Sequence, residues 1–385
     1  MRTGLEPAAA YVELTEGLRR NIRVDELVLE AAQRFPDLGL PTRAQIEEED
    51  SRKQADKLGL EVPQGAFFSR VLADPEAGLH LVYSMLRPTA AATERLPAFQ
   101  RSGHADLGPA TVERIGNVGH VNLRNLRYLN AEDGAATAAL EVGVDLVLLD
   151  PGCEVGVLRG AVVGHPKYAG RRIFNAGLNL THLYHGRISF ASFMMARELG
   201  LVSKIYRGLW LGDDWRTAVE ETQEKPWIAG VEGFAIGGGC QLLLVHDRVI
   251  AERGAFFTLP ARKEGIIPGA ANLRLWRFLG DRAARQAIMF ERGFTTDDGA
   301  AASLCDRVVD RDEMDAAIAE DAAQLISSGT TAAAANRKAI RVGQEPVELF
   351  RRYMAVYARE QALCMHSPAL IRNLEDNWRA HERAM

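Results

Sequence analysis

The chain is poor in cysteine and aromatic residues, and it has no apolar run long enough to cross a lipid bilayer. Only 4 of its 385 residues are cysteine and 7% are aromatic. Neither a disulfide scaffold nor a zinc knuckle is expected, because no C-x-x-C pair occurs among Cys153, Cys240, Cys305 and Cys364. The N-terminus also lacks a basic segment followed by an apolar core, which would mark a secretory signal. These absences predict a cytoplasmic protein without a membrane partner.

The sequence has no large excess of charge of either sign. Its 46 Lys and Arg residues nearly balance its 51 Asp and Glu residues, for a net charge of −5. A nucleic-acid-binding protein needs a basic stripe that displaces counterions from phosphates, so this balance argues against a nucleic-acid partner. With 47% hydrophobic and 25% charged residues, the composition is that of a globular protein with a sizeable core.

The pattern of apolar residues divides the chain into three regions. The first is helical: apolar residues recur at helical spacing over residues 24–35, and Thr42 with Gln45 forms a capping-box pair that predicts another helix start. The end of the chain is also helical in pattern. We therefore predict a helical N-terminal domain, a central α/β core and a helical C-terminal region, with bounds at 1–104, 105–310 and 311–385.

The central region alternates short strand-like runs with helical patterns. Most of these runs have Gly, Pro or Asn close by, which is typical of strands that end in turns. Strands that alternate with helices indicate an α/β fold with a mainly parallel sheet. The predicted strands are residues 119–122, 144–149, 162–163, 227–231 and 248–251.

The most informative segment lies between Lys225 and Gly280. A buried strand ends in Gly-Phe-Ala-Ile, meets the three glycines 237–239 and enters a helix near Cys240. Consecutive glycines permit positive φ angles and a close approach of the backbone to a ligand. The first amides of a helix have no intrahelical partner, so they can bind a carbonyl oxygen as half of an oxyanion hole. A tight, packed turn without chemistry is the alternative interpretation of three glycines alone.

This segment resembles the signature of the crotonase (enoyl-CoA hydratase/isomerase) superfamily, and the resemblance extends over roughly residues 115–310. A second matching motif, Phe174-Asn-Ala-Gly-Leu-Asn-Leu, is similar to the other oxyanion loop of that family. The resemblance implies a crotonase (ClpP-like) spiral core of repeated ββα units, with a helical N-terminal extension and C-terminal helices that mediate oligomerisation.

The family's site can be carried over residue by residue. The oxyanion hole would be the backbone N–H groups of Leu178 and Gly238. Arg127 and Tyr128 match the loop that wraps the CoA moiety in the family, although a solvated surface arginine is the alternative for Arg127. His165, in the string HPKYAG, is expected in a loop near CoA. The remaining substrate- or CoA-binding residues on this interpretation are Lys167, Ala176, Gly177, Gly237 and Gly239.

Two positions depart from the hydratase pattern. Hydratases of this superfamily carry one glutamate just after the triple-glycine turn and another in the following Q-P-E. Here these positions are Gln241 and Ala261, and neither side chain can exchange a proton. Addition of water across a double bond would lack both of its acid–base groups, so the chain is not expected to be a hydratase.

One branch of the superfamily combines this pattern with a long helical N-terminal extension, namely the cofactor-independent arylacetyl-CoA 1,2-dioxygenases of glycopeptide-antibiotic biosynthesis. The strings RRNIRVDELVLEA, HPKYAGRRIFNAGLNL and LPARKEGIIPGAANLRL are similar to that branch. The resemblance implies a 3,5-dihydroxyphenyl substrate ring and reacting centre held by Glu132, Arg197 and Gln241. It also implies that the acyl-CoA substrate and O₂ react through an enolate, with no metal or other cofactor, to give an arylglyoxylate and CoA.

Two other functions remain open at this stage. Another crotonase-fold acyl-CoA hydrolase or isomerase could use the same hole, and a non-catalytic CoA-binding protein could retain it. A metal site is the less favoured alternative for oxygen chemistry: His104-Ala-Asp106 has H-x-D spacing, and His182 and His185 lie about one helical turn apart.

The resemblance further implies a homo-oligomer, either a trimer or a hexamer. C-terminal helices pack across neighbouring subunits in the family. The expected contact residues are the apolar positions Leu349, Phe350, Tyr353, Met354 and Tyr357, with packing inside one chain as the alternative.

Overall fold

The computed structural model describes residues 5–217, 221–327 and 329–382. Its first part is a set of helices. The capping box predicted at Thr42 is confirmed, since the Thr42 side chain and Gln45 satisfy each other's backbone N–H groups. The six helices are α1 (Pro7–Leu14), α2 (Val24–Arg34), α3 (Arg43–Asp50), α4 (Glu61–Ala73), α5 (Pro75–Met85) and α6 (Ala90–Ser102).

Twelve strands follow in the described part of the chain, and seven of them form the main sheet in the order β1-β2-β3-β4-β7-β9-β12. The run from β3 to β12 is parallel, as predicted, and β1 and β2 add an antiparallel edge. The strands are β1 (His104–Asp106), β2 (Ala110–Ile115), β3 (Val118–Leu123), β4 (Val155–Gly160), β5 (Val162–Val163), β6 (Arg171–Arg172), β7 (Trp227–Val231), β8 (Phe234–Ile236), β9 (Arg248–Glu252), β10 (Phe256–Thr258), β11 (Phe294–Thr295) and β12 (Arg307–Val309).

Ten further helices surround and follow the sheet in the described residues. Two irregular segments with π-helical hydrogen bonds, Phe190–Met195 and Arg197–Val202, lie between the second and third of them. The helices are α7 (Gly134–Leu149), α8 (Leu180–Tyr184), α9 (Ser203–Arg207), α10 (Gly238–Leu243), α11 (Ala261–Glu264), α12 (Ala271–Phe290), α13 (Met314–Ser327), α14 (Thr330–Gln344), α15 (Val347–Met365) and α16 (Pro368–Arg372). None of the described helices is both long enough and apolar enough to cross a membrane.

The prediction of a strand over residues 144–149 is wrong. These residues form the last turns of α7, a helix that is buried on nearly all sides between the sheet and α6. A helix buried all round has no polar face, so its apolar run resembles that of a buried strand. The strands predicted near 119–122, 162–163, 227–231 and 248–251 are confirmed as β3, β5, β7 and β9.

The N-terminal helices do not have a hydrophobic core of their own. The buried apolar residues of α1, α2, α4 and α5 share one cluster with the π-helical segment 190–195 and with α15, which packs against α4 and α5. Ala92 and Phe99 of α6 belong instead to the cluster that covers the sheet. The proposed contact between subunits is therefore wrong for three of the five α15 residues. Phe350, Met354 and Tyr357 are already buried inside one chain, which leaves them no surface to offer a neighbour.

A buried carboxylate joins the helices behind the sheet. Glu345, the residue directly after α14, accepts hydrogen bonds from Arg274 and Arg277 of α12 and from Arg207 of α9, at 2.7 to 3.0 Å. Burial alone would raise the pKa of the Glu345 carboxyl, but the three guanidinium groups outweigh burial and lower that pKa to about 2.

Replacing Glu345 by glutamine should lower the free energy of unfolding by about 3–5 kcal/mol at pH 7, because three buried cations lose their shared anion. The pKa is lower in the folded chain, so the stabilisation is present above about pH 4.5 and disappears as the pH falls towards 2. Urea unfolding at pH 7 and pH 3 measures this. Glu360→Gln, at an exposed pair with Arg359, is the control and should change stability by less than about 1 kcal/mol. Equal stability of Glu345→Gln and wild type at pH 7 would contradict the prediction.

Candidate active site

Two loops meet at the end of β8, which pairs in parallel with β10 in a second, three-stranded sheet whose third strand, β11, is antiparallel. The loop after β6 runs alongside β8, where the Ile236 N–H donates to the Asn175 carbonyl at 3.0 Å. The chain then enters the turn at Gly237 and begins α10 at Gly238. The two motifs found in the sequence, residues 174–180 and 233–240, are thus held side by side by backbone hydrogen bonds.

Both loops need glycine at the point of contact. Gly177 has φ +80° and Gly237 has φ +50°, in the region that residues with a Cβ rarely adopt. A Cβ on Gly177 would lie 2.6 Å from the Ile236 carbonyl oxygen and 3.3 Å from the Gly238 nitrogen. Glycine at position 177 is therefore what allows the two loops to approach this closely.

This arrangement leaves two backbone N–H groups free on adjacent loops. Among the described residues, the N–H groups of Leu178 and Gly238 donate to no protein acceptor. Leu178 and Gly238 line the same pocket, together with Gly237. Two unpaired N–H groups beside one pocket can hold an oxygen that gains negative charge. Gly239 does not line the pocket; it packs against Asn175, where any Cβ would come within 2.7 Å of the Asn175 Cβ.

Beside these amides lies a buried guanidinium. The Arg197 Nε and Nη2 groups donate to the two carboxylate oxygens of Glu132 at 2.5 and 3.0 Å. Arg197 Nη1 donates to Gln241 Oε1 at 2.8 Å, and Arg197 Nη2 donates to the Gly238 carbonyl at 2.9 Å. The three side chains that the resemblance assigned to the reacting centre are therefore in direct contact, next to the turn that carries one of the free amides.

A second carboxylate, Glu198, completes this cluster. Arg197 Nη1 also donates to Glu198, whose other oxygen accepts from the Ala270 N–H at 2.9 Å. Burial alone would lower the pKa of Arg197, but the charges of Glu132 and Glu198 outweigh burial and raise it. The cluster thus holds a permanently charged guanidinium between two carboxylates in a buried wall of the pocket.

Sequence reasoning missed the residue that fixes Glu132. Asn175 Nδ2 donates to Glu132 Oε1 at 2.8 Å, and Asn175 Oδ1 accepts from the Gly177 N–H at 2.7 Å. The backbone of Glu132 pairs with the same loop, through its N–H to the Gly177 carbonyl. Asn175 stands two residues before Gly177 in the oxyanion motif, and this position was the available signal for its role.

The pocket also has a mostly apolar wall. Phe193, Met194 and Ile267 contribute to that wall. The pocket is also lined by Gln241 and Ala261, the two positions where hydratases carry glutamate. Because these residues are glutamine and alanine, neither position supplies a carboxylate. One further carboxylate does line the pocket: Glu264, which the sequence analysis did not single out.

A second groove continues from Leu178. It brings together Arg127, Tyr128, His165 and Ala176, four of the positions assigned to CoA binding, and it is bounded by Trp378 from the end of the chain. Lys167 does not line this groove; its ammonium group lies 5.2 Å from the centre of the Tyr168 ring. The prediction for Lys167 therefore has no support from its position.

Two of the residues considered for a metal site are paired with other side chains. Asp106 pairs with Arg124 at 2.7 Å on the edge strand β1, and His182 pairs with Asp133 at 3.1 Å. Within the residues that the structure describes, no group of three or more His, Cys, Asp or Glu side chains could hold a metal ion.

Residues 169–361 match the enoyl-CoA hydratase/isomerase family. The chain is 48% identical to a (3,5-dihydroxyphenyl)acetyl-CoA 1,2-dioxygenase of Amycolatopsis orientalis, over 94% of this chain and 82% of that protein. It is 26% identical to a short-chain-enoyl-CoA hydratase of Clostridium acetobutylicum, over 62% of this chain and 84% of the relative.

Solved structures agree on the fold. An enoyl-CoA hydratase from Mycobacterium avium subsp. paratuberculosis superposes with a TM-score of 0.58 at 21% identity, over 71% of this chain and 97% of that one. An enoyl-CoA hydratase from Bacillus halodurans superposes with a TM-score of 0.57 at 19% identity, over 70% of this chain and 99% of that one. At these identities the likeness concerns the fold alone, and it confirms the predicted spiral α/β core with helical additions.

Proposed function

This chain belongs to the enoyl-CoA hydratase/isomerase family, and from that premise we propose that it is a 1,2-dioxygenase of an arylacetyl-CoA thioester. The substrates are (3,5-dihydroxyphenyl)acetyl-CoA and O₂, and the products are (3,5-dihydroxyphenyl)glyoxylate and CoA. The observation that carries the proposal is the pair of free amides beside the buried Arg197 cluster, in a pocket where positions 241 and 261 carry no carboxylate. The relative from Amycolatopsis supports the choice of substrate.

The oxyanion hole accounts for the first step. The thioester oxygen accepts hydrogen bonds from the N–H groups of Leu178 and Gly238, and it gains negative charge when the α-carbon loses a proton. One donor of this kind contributes about 3–4 kcal/mol to the charged state. The adjacent aryl ring acidifies the α-protons further, so the enolate is the species that the site stabilises.

The buried cluster accounts for the orientation of the ring. Glu132, Arg197 and Gln241 have fixed positions because each is hydrogen-bonded to another of the three. All the N–H groups of Arg197 are donated within the cluster. Arg197 would therefore orient the phenolic hydroxyls by holding Glu132 and Gln241 in fixed directions. With the ring held by the buried cluster and the thioester oxygen held by the two amides, the α-carbon between them would lie in the apolar part of the pocket.

The oxygen chemistry balances without an external reductant. The enolate passes one electron to O₂, and the resulting pair combines into a peroxide at the α-carbon. The peroxide attacks the thioester carbonyl and expels CoA thiolate; loss of the second α-proton then cleaves the O–O bond and leaves the glyoxylate. All four electrons that reduce O₂ come from the α-carbon, so the proposed reaction requires no metal or other cofactor.

Arg127, Tyr128, His165 and Ala176 are the proposed contacts of the CoA moiety, because they line the groove that continues from Leu178. Arg127 is the basic group in that groove and suits a CoA phosphate. We place the reaction in the cytoplasm, and we retain the proposed division into an N-terminal helical domain, a catalytic core and a C-terminal region at 1–104, 105–310 and 311–385.

Oxygen uptake tests the proposed function. The purified protein should consume O₂ and release CoA in a 1:1 ratio with (3,5-dihydroxyphenyl)acetyl-CoA, at the same rate with and without a metal chelator. Thioester cleavage without oxygen uptake would instead support a hydrolase. Binding of the thioester without turnover would support a non-catalytic CoA-binding protein.

The assembly is a further prediction. We expect a trimer or hexamer at about micromolar concentration, as measured by light scattering on a size-exclusion column. The buried α15 residues do not provide the contact, so the interface must use other surfaces, and a monomer across that concentration range would contradict the prediction.

A further inference from the structure

One carboxylate in the pocket has no partner among the residues that the structure describes. Glu132 and Glu198 are both hydrogen-bonded to Arg197 and to a second donor, which fixes them as part of the buried cluster. Glu264 lines the same pocket, yet its side chain makes no hydrogen bond or ion pair with any residue that the structure describes. Among the described residues, it is the carboxyl group of this pocket that remains available to a substrate.

The position of Glu264 faces the oxyanion turn. A methyl-sized group placed on Gly237 would meet only Glu264 Oε2 and the Gly177 Cα within 4 Å, each at 3.8 Å, apart from its own chain neighbours. There is thus room for a carbon atom between the Glu264 carboxylate and the two glycines that flank the free amides.

The fold also explains how this carboxylate takes the place of a missing one. Ala261 and Glu264 are the first and last residues of α11, three residues apart, and both line the pocket. Residues at this spacing lie on one face of a helix. Hydratases carry a glutamate at position 261, where this chain has alanine. The same face of α11 therefore still carries a carboxylate, that of Glu264, one turn further along.

We propose that Glu264 is the base that removes the α-proton of the thioester and so forms the enolate. This inference rests on the proposed function. The Cα–H bond breaks, its proton goes to a carboxylate oxygen of Glu264, and its electron pair forms the Cα=C bond while the carbonyl π pair moves to the thioester oxygen. The protonated Glu264 then gives its proton to the departing CoA thiolate, which restores the carboxylate for the second α-proton. That second proton leaves to solvent, which Glu264 reaches because it is only half-buried.

The surroundings of Glu264 suit proton transfer near neutral pH. Burial raises the pKa of the Glu264 carboxyl to about 7, and the neighbouring ammonium of Lys263 partly opposes this rise. A general base works best when its pKa lies near the working pH. A third groove, which Glu264 also lines, presents Lys263 and the uncharged residues Asn373, Asn377 and Trp378. The other titratable groups that line the pocket are Glu132, Arg197, Glu198 and Tyr357.

The test compares Glu264→Gln with wild type in two assays on (3,5-dihydroxyphenyl)acetyl-CoA. The first is oxygen uptake across pH 5.5–9. The second is exchange of the α-protons for deuterium in D₂O without oxygen, followed by NMR. We expect Glu264→Gln to lower kcat for oxygen uptake and the exchange rate by about a hundredfold or more, with KM within about threefold of wild type. Glu264→Asp should recover part of both rates.

The pH profile separates a base from a structural residue. Wild-type kcat/KM should fall as the pH drops below about 7, because a base acts only when deprotonated, and Glu264→Gln should lose this limb. Arg262→Gln is the matched control: Arg262 lies on the same helix, but it is exposed and pairs with Glu291 at 2.6 Å. This control should keep wild-type rates.

Wild-type rates of exchange and oxygen uptake in Glu264→Gln would overturn the inference. A slower variant that keeps both the wild-type pH profile and the wild-type exchange rate would overturn it as well. Failure of the proposed function is distinguishable, because wild type would then consume no oxygen. Proton exchange that depends on Glu264 would still support the assignment of the base in that case.

Discussion

Replacement of Arg197 by lysine should lower kcat for oxygen uptake about a hundredfold while the fold persists. The guanidinium donates at once to Glu132, Glu198, Gln241 and the Gly238 carbonyl, and a single ammonium cannot reach all four in these directions. The ring-binding side chains would lose their fixed positions, and misplaced groups cost rate steeply. The free energy of unfolding should fall by about 2 kcal/mol, since hydrogen bonds to charged groups are lost.

The measurement is oxygen uptake together with urea unfolding of the same preparation. Arg20→Lys is the matched control, because Arg20 also makes a two-point pair, with Glu30 at 2.6 and 2.7 Å, but on the exposed surface of the helical region. Arg20→Lys should keep the wild-type rate of oxygen uptake, and its free energy of unfolding should change by less than about 1 kcal/mol. If Arg197→Lys keeps wild-type turnover, the assignment of Arg197 to the reacting centre is wrong.

Gln241→Glu should also impair oxygenation at neutral pH, and it should not create a hydratase, because Ala261 still lacks a carboxylate. Gln241 Oε1 accepts from Arg197 beside Glu198, so a glutamate there would add a third carboxylate to one guanidinium. It would also stand near the enolate. Two like charges about 5 Å apart repel by about 3 kcal/mol at an effective dielectric constant of about 20. Arg197 offsets part of this repulsion, so we expect a loss of about tenfold to a hundredfold in kcat.

The pH dependence provides the internal control for this variant. Like charges disfavour ionisation, so the pKa of the new carboxyl should be raised, and protonation at lower pH should remove the repulsion. The ratio of variant to wild-type turnover should therefore rise between pH 8 and pH 6. Equal or faster turnover of Gln241→Glu at pH 7.5 would mean that position 241 does not face the enolate.

Local sequence patterns accounted for the parts of the site that local backbone geometry controls. The glycines at 177 and 237 lie at positive φ in turns, and their motifs predicted where two free amides would lie. The capping box at Thr42 and the strand β7 are likewise properties of a few consecutive residues. Such features depend on neighbours in the chain, which the sequence displays directly.

Other expectations failed where distant parts of the chain decide the outcome. The apolar residues 144–149 form a helix because α7 is buried on nearly all sides. Met354 and Tyr357 of α15 are covered by the same chain, so they are not free for a second subunit. A sequence pattern shows that a residue is apolar, but it does not show which surface will cover it.

By itself, the sequence determined the family, the two oxyanion motifs and the absence of both hydratase carboxylates, because each is carried by residue identities in short segments. Only the tertiary structure decided which charged groups are paired. Glu132 and Glu198 come from different parts of the chain and meet at Arg197, whereas Glu264 lines the pocket without a partner among the described residues. The role of a carboxylate depends on the donors and the burial around it, and both come from segments that are far apart in the sequence.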